Sequence, residues 1–215
     1  MDAQKPMNPN KNCQICPRLY EYRTENQKTY PEWYNSPVDS FGDINGKLLV
    51  VGLAPGLRGA NRTGRPFTGD WAGDLLYQAL AKFGFSRGTY AGEATDGLAL
   101  ENCRITNAVR CLPPQNKPTG QEIGACNVFL KQEISNMSNL KVIMALGLIA
   151  HNATLNALEK RKSQHKFLHG ASFELTSDIK LISSYHCSRY NTNTRRLTNE
   201  MFFDIFREIR EIIKS

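Results

Sequence analysis

The sequence predicts an α/β fold: a mostly parallel sheet with helices on both faces. Three observations carry this reading. Four short runs, KLLVVGL (47–53), CRITNAV (103–109), LKVIMAL (140–146) and IKLISSY (179–185), are near-continuously apolar, as strands covered on both faces should be. Apolar residues between these runs recur at helical spacing. The two kinds of segment alternate along the chain, which favours parallel strands joined by crossover helices.

Each element has its own signal. Residues 1–12 are polar and are expected to be loose. After the first strand, Leu75, Leu76, Ala79, Leu80 and Phe83 share one helical face. After the second, Thr119 and Glu122 form a capping-box pattern ahead of Ile123, Leu130 and Ile134. GLIAHNATLNAL, after the third, reads as a helix, and ASFEL (171–175) admits a short extra strand. The last helix carries Phe202, Ile205, Phe206, Ile209, Ile212 and Ile213, with Thr198 as its N-cap.

Composition narrows the class. A chain of 215 residues suits one domain, and 40% hydrophobic residues support a core and argue against wholesale disorder. No run of about 18 apolar residues offers a membrane span. The start, MDAQKPMNPNKNC, lacks the apolar stretch of a signal peptide, so a cytoplasmic location is expected. Disulfides are rare there, and the six cysteines need another explanation. A net charge of +7 favours an anionic partner, nucleic acid first.

In folds of this kind ligands sit at the carboxyl ends of the strands. Two unusual segments follow strands directly and are expected to face one cleft. GANRTGRPFTGD (59–70) is too basic for a core strand and too glycine-rich for a helix, and SSYHCSR (183–189) follows the fourth strand. Cys13 and Cys16 form C-x-x-C, and fourteen residues separate Cys111 from Cys126. Four thiolates suit zinc or an iron–sulfur cluster, and spacing alone does not choose between them or exclude four unrelated buried thiols. Cys103, inside a strand, is assigned to packing.

The segments GLAPGLRGANRTGRPFTGD, ITNAVRCLPPQNKPTGQE and SSYHCSRYNTNTRRLT, in that order, resemble the uracil-DNA glycosylase superfamily, and most closely its iron–sulfur branch, called type b or family 5. The resemblance runs from residue 13 to about residue 198. It implies a three-layer α/β/α architecture around a central four-stranded, mostly parallel sheet. It implies a [4Fe–4S] cluster on Cys13, Cys16, Cys111 and Cys126, structural in role, and a monomer that acts on DNA bearing uracil or other deaminated bases such as hypoxanthine. It also implies a monofunctional enzyme using water, since no lysine stands at a nucleophile position in the motifs. A catalytically dead relative that only binds damaged DNA is the alternative.

The resemblance assigns roles by position. Gly52, Ala54, Phe67, Asn107, Arg62, Arg65, Ser188 and Arg189 would contact substrate, with Phe67 stacking on the extruded base and the arginines pairing with phosphates. His186 would donate to uracil O2 as charge develops there. An asparagine amide, which carries both acceptor and donors, would read the base edge, and Asn116 is preferred to Asn107. Two departures stand out. Leu53 occupies the place of the type a branch's glutamate, so water handling falls to Asp70, with Asp74 in reserve, although Asp70 also suits a helix N-cap. Cys187 replaces the proline of the usual HPS triplet. The loop 188–198 resembles the minor-groove insertion loop, with Arg189, Arg195 and Arg196 near phosphates and Tyr190 as a wedge. The segment 59–70 offers Ala60 and glycines but no bulky residue against C5 of the base, which predicts a permissive pocket.

Overall fold

A computed structural model describes residues 7–214. The chain opens with α1 (Pro17–Thr29), then β1 (Phe41–Gly42), β2 (Leu48–Gly52), the single turn α2 (Ala60–Thr63) and α3 (Trp71–Lys82). A hairpin of β3 (Ser86–Arg87) and β4 (Ala99–Leu100) leads to β5 (Cys103–Asn107). Then come α4 (Gly120–Asn136), β6 (Val142–Leu146), α5 (Leu148–Ala157), β7 (Ser172–Glu174), β8 (Lys180–Ser184), α6 (Arg189–Asn193) and α7 (Asn199–Lys214).

The main sheet has the order β1-β5-β2-β6-β8-β7. β5, β2, β6 and β8 run parallel and are the four strands expected. The expected count is corrected to six, because β1 and β7 add antiparallel edges. Alternation along the buried strands separates two cores. Leu48, Val50, Ile105, Val142, Met144 and Ile182 face α3 and α7. Leu49, Val51, Ile143, Ala145 and Leu181 face α4 and α5. The chain passes from β5 on one side of β2 to β6 on the other, so a crevice opens at the carboxyl ends of these strands.

Three local expectations change. Residues 60–63 form a helical turn, closed by Gly64 at φ 82° with its N–H on the Ala60 carbonyl. Residues 189–193 are helical, capped by Ser188, whose hydroxyl accepts from the Asn191 N–H. Of the stretch expected to be loose, residues 1–6 lie outside the described residues. Residues 7–9 are packed, with Pro9 buried and Asn8 accepting from the Arg110 guanidinium at 3.1 Å, while residues 10–12 are exposed. No helix among the described residues is long and apolar enough to cross a membrane.

Candidate active site

A cleft of about 600 Å³, partly open to solvent, lies at the carboxyl ends of β2, β5 and β8. Ala54, Phe67, Asp70, Asn107, Asn116 and His186 all line it. They come from three separate stretches, at and beyond the ends of β2, β5 and β8. Gly52 and Asn107 are register partners at the ends of β2 and β5. A Cβ on Gly52 would lie 2.4 Å from Asn107 Oδ1 and 2.5 Å from Phe67 Cζ. The glycine does not itself line the cleft; it lets the Asn107 amide and the Phe67 ring, which do, approach over it.

Phe67 is buried, yet its ring lines the cleft, so packing and ligand contact are not exclusive here. Its backbone takes the left-handed conformation at φ 57°, which a non-glycine residue keeps only where its surroundings enforce it. The surroundings are specific. Tyr90 Oη donates to the Phe67 carbonyl at 3.1 Å, and Tyr77 Oη donates to the Pro66 carbonyl at 2.8 Å. The two tyrosine rings stack at 4.3 Å. Gly73 has no room for a side chain, since a Cβ would fall 1.9 Å from the Phe67 carbonyl oxygen.

Arg65 belongs to this support, and its expected phosphate contact is corrected. Its guanidinium is buried and makes a fork of two 2.7 Å bonds to Asp96, beneath Tyr77 and Tyr90. Arg65 in turn holds the Asp96 carboxyl far below the usual range. Arg62 stays at the surface, paired with Glu93 at 2.7 Å. Tyr77, Tyr90 and Asp96 had no motif to announce them; only the fold brings the β3–β4 excursion under residues 65–67.

Asp70 caps α3 and also faces the cleft. Its Oδ1 accepts from the Gly73 N–H at 2.9 Å, capping α3, while the same carboxylate lines the cleft. Although the side chain reaches solvent, protein on most sides removes bulk water and pushes its carboxyl above the usual range. Burial likewise pulls the His186 imidazole down to about 4, so the ring is neutral at physiological pH. Its centroid lies 6.2 Å from that of Phe67. Asn107 is buried at the strand end, whereas Asn116 stands on an exposed turn at φ 56°. Ser188 and Arg189 lie outside the cleft lining: Ser188 caps α6, and Arg189 lies over the Trp71 ring at 5.6 Å. Trp71 also donates to Thr192 Oγ1 at 2.9 Å, docking α6 against the start of α3.

The four cysteines share a second site. Cys13, Cys16, Cys111 and Cys126 line one apolar pocket, together with Leu19, Val109 and Phe129. Arg23 reaches Cys111 Sγ at 3.5 Å, and the Arg110 N–H reaches Cys126 Sγ at 3.4 Å. Burial pushes the Cys16 thiol up to about 11 and the Cys111 thiol up to about 12. No group of three or more His, Cys, Asp or Glu among the described residues is arranged to hold a metal ion; the thiols ring a space instead. Cys103 and Cys187 lie apart from it, buried in the core against the α3–α7 face.

The family model of the uracil DNA glycosylase superfamily matches residues 40–210. A type-5 uracil-DNA glycosylase from Thermus thermophilus is 43% identical over 206 residues, 93% of each chain. A type-5 uracil-DNA glycosylase from Pyrobaculum aerophilum is 38% identical over 200 residues, 91% of this chain and 87% of that one. A type-4 uracil-DNA glycosylase from the same organism is 32% identical over 190 residues, 86% and 83% of the two chains. Fold, cleft and similarity agree, and the chain belongs to the uracil DNA glycosylase superfamily, in the company of its type-5 members.

Proposed function

We propose that the protein hydrolyses the bond between a deaminated base and deoxyribose C1′ in DNA, with uracil as the first substrate. The observation that carries this is the meeting of Phe67, Asp70, Asn116 and His186, from three distant segments, in one cleft. A glycosylase must take the base out of the stack and hold it. Phe67 offers a ring face for stacking. The Asn116 amide donates to O4 and accepts from N3–H, a pattern cytosine cannot match, with Asn107 deeper in the same cleft. Asp70 holds a water and takes its proton as the oxygen bonds to C1′. The bond from C1′ to the base breaks, and its electron pair leaves with the base. The neutral His186 donates to O2 where that charge collects. No lysine lines the cleft among the described residues, which supports water rather than an amine as nucleophile.

Incubation with a duplex oligonucleotide carrying one uracil, followed by alkali, should cut the strand at that position. Tight binding with no alkali-labile site would identify a damage-binding protein instead. Ala54, Gly56 and Ala60 are the small residues of the lining, and they support a pocket that also takes hypoxanthine. Single-turnover excision on matched uracil and hypoxanthine substrates tests that; removal of uracil alone would show a closed pocket.

The cysteine cavity fits a [4Fe–4S] cluster held by Cys13, Cys16, Cys111 and Cys126. Four sulfur donors surround a space rather than a point, and two arginine N–H groups face sulfur, which offsets part of the burial that raises these thiols. When bound, such a cluster supplies a cross-link between the N-terminal segment and the loop after β5, and its binding energy becomes folding energy. Cys111→Ala should lower the iron content and solubility of the purified protein. Full iron retention would overturn the assignment.

A further inference from the structure

We propose that Arg18 is a positioning residue for Asn116, holding the turn that presents this amide to the base; the proposal rests on the reading of Asn116 as the base-reading group. Asn116 needs external support. Its side-chain amide makes no hydrogen bond to protein among the described residues, so the backbone alone aims it. That backbone is strained, because Gln115 and Asn116 both stand at φ 56°, consecutive left-handed residues without glycine. The turn's own bonds are two, Asn116 N–H to the Pro113 carbonyl and Lys117 N–H to the Pro114 carbonyl, each 3.1 Å.

Arg18 supplies the remaining hold. Its Nη2 donates to the Lys117 carbonyl at 3.0 Å, immediately after Asn116. The same guanidinium forks onto Glu122, with Nε to Oε1 at 2.8 Å and Nη2 to Oε2 at 2.7 Å. A planar fork that meets a carboxylate and a carbonyl together fixes direction as well as distance, which a lysine cannot reproduce. Glu122 is itself locked: Oε2 accepts from the Thr119 N–H at 2.7 Å, and the Thr119 hydroxyl accepts from the Glu122 N–H at 3.2 Å. Residues 117–122 thereby become one rigid block fastened to the start of α1. Arg18 lies two residues after Cys16, and Asn116 lies between Cys111 and Cys126 in the chain. The segment that aims the amide and the segment that bears the cysteines are therefore joined by one side chain. Arg18 is partly exposed but Glu122 is buried, so the fork bears on stability as well as on aim, and the comparison of backgrounds below isolates the aim.

A double-mutant cycle tests the proposal, using the iron-loaded protein as purified and single-turnover excision from a duplex uracil oligonucleotide. Arg18→Ala should slow excision by about 10-fold to 10²-fold, the loss typical of a misplaced substrate-contacting group. Iron content and affinity for undamaged duplex should stay at the parent level. In an Asn116→Ala background, Arg18→Ala should have no further effect. Where Arg18→Ala does not fold, Glu122→Gln takes its place, since it weakens the same fork. An equal loss from Arg18→Ala in both backgrounds, or a rate that falls only in step with lost iron, overturns the proposal while leaving Asn116 its role. An Asn116→Ala protein with the parent rate overturns the underlying reading of Asn116 instead.

Discussion

At the scale of single residues, His186 and Asp70 have opposite displacements from their ordinary values, and this sets the expected pH behaviour. Burial pulls the imidazole down to about 4, so it does not gain charge as pH falls through 6. Asp70 is raised by burial, so it takes up its proton at a higher pH than a free aspartate, whose value is about 3.9. If Asp70 must be a carboxylate to handle water, excision is lost on acidification as Asp70 protonates, above the usual carboxylate range. A pH–rate profile should show one acid limb, and Asp70→Asn should be slow at every pH without it. A limb near 6.5 that disappears in His186→Ala would instead assign the profile to the histidine. His186→Ala itself should slow single-turnover excision about 10²–10³-fold and leave duplex affinity intact, because one preorganised donor to developing charge is lost. The charges in the same motif were less legible. Arg62 and Arg65 look alike in sequence, yet one lies at the surface and the other is buried against Asp96, thirty-one residues away. No local pattern separates them, because the partner arrives only with the β3–β4 excursion.

At the scale of elements, legibility followed burial. The four parallel strands could be read because both of their faces are apolar, and α4 could be read because its capping box is local. α1 could not, since the side chains it buries are Leu19, Arg23 and Asn26, two of them polar. β1, only two residues long, carries no periodicity at all. The polar interior that hides α1 has a counterpart in α4. Glu133, fully buried, binds Arg104 at 2.7 Å and Arg110 at 2.6 Å, joining α4 to β5 and to the loop that leads to Cys111. Burial alone would push this carboxyl up, but Arg110, then Ser40 and Arg104, hold it below the usual range. Its contribution to stability is thus present above the unfolded value of about 4.3 and is lost as pH falls. Glu133→Gln leaves two buried guanidinium groups without a counter-charge, which typically costs about 3–5 kcal/mol. Urea unfolding at neutral pH should show that loss, and it should narrow on acidification as the parent's carboxylate is itself protonated. A variant as stable as the parent at pH 7 would mean that the network is not what joins α4 to the sheet.

At the scale of the whole molecule, the formal charge of +7 becomes informative once paired and free cations are told apart. Arg62 is paired and Arg65 is buried, so the glycine-rich loop contributes less to a DNA surface than its sequence suggests. On the loop expected to act as an insertion segment, Arg189, Arg195 and Arg196 are exposed, as is Tyr190, at 71%. Arg196 lies over Tyr185 at 4.6 Å and Arg189 over Trp71, so both are held near the cleft by aromatic faces rather than by carboxylates. The opposite end differs. Lys214 is paired with Glu211 at 2.8 Å, near where Lys47 donates to the carbonyl of Ile213 below the amino ends of the strands. In the function proposed above, the exposed arginines around Tyr190 would bring DNA to the carboxyl end of the sheet, where the cleft opens. Each phosphate neutralised releases condensed counterions, and log K then falls against log salt with a slope of about −0.9 per contact on duplex DNA. Arg195→Ala and Arg196→Ala should each make that slope shallower by roughly 0.9 without changing the rate on bound substrate, because neither residue reaches the cleft. Lys214→Ala should leave the slope as it was. The measurement is duplex affinity across a salt series, followed by single-turnover excision at saturating protein. If Lys214→Ala and Arg196→Ala shift the slope equally, the protein's charge acts as a diffuse cloud, and the insertion segment has no privileged place on the phosphate backbone.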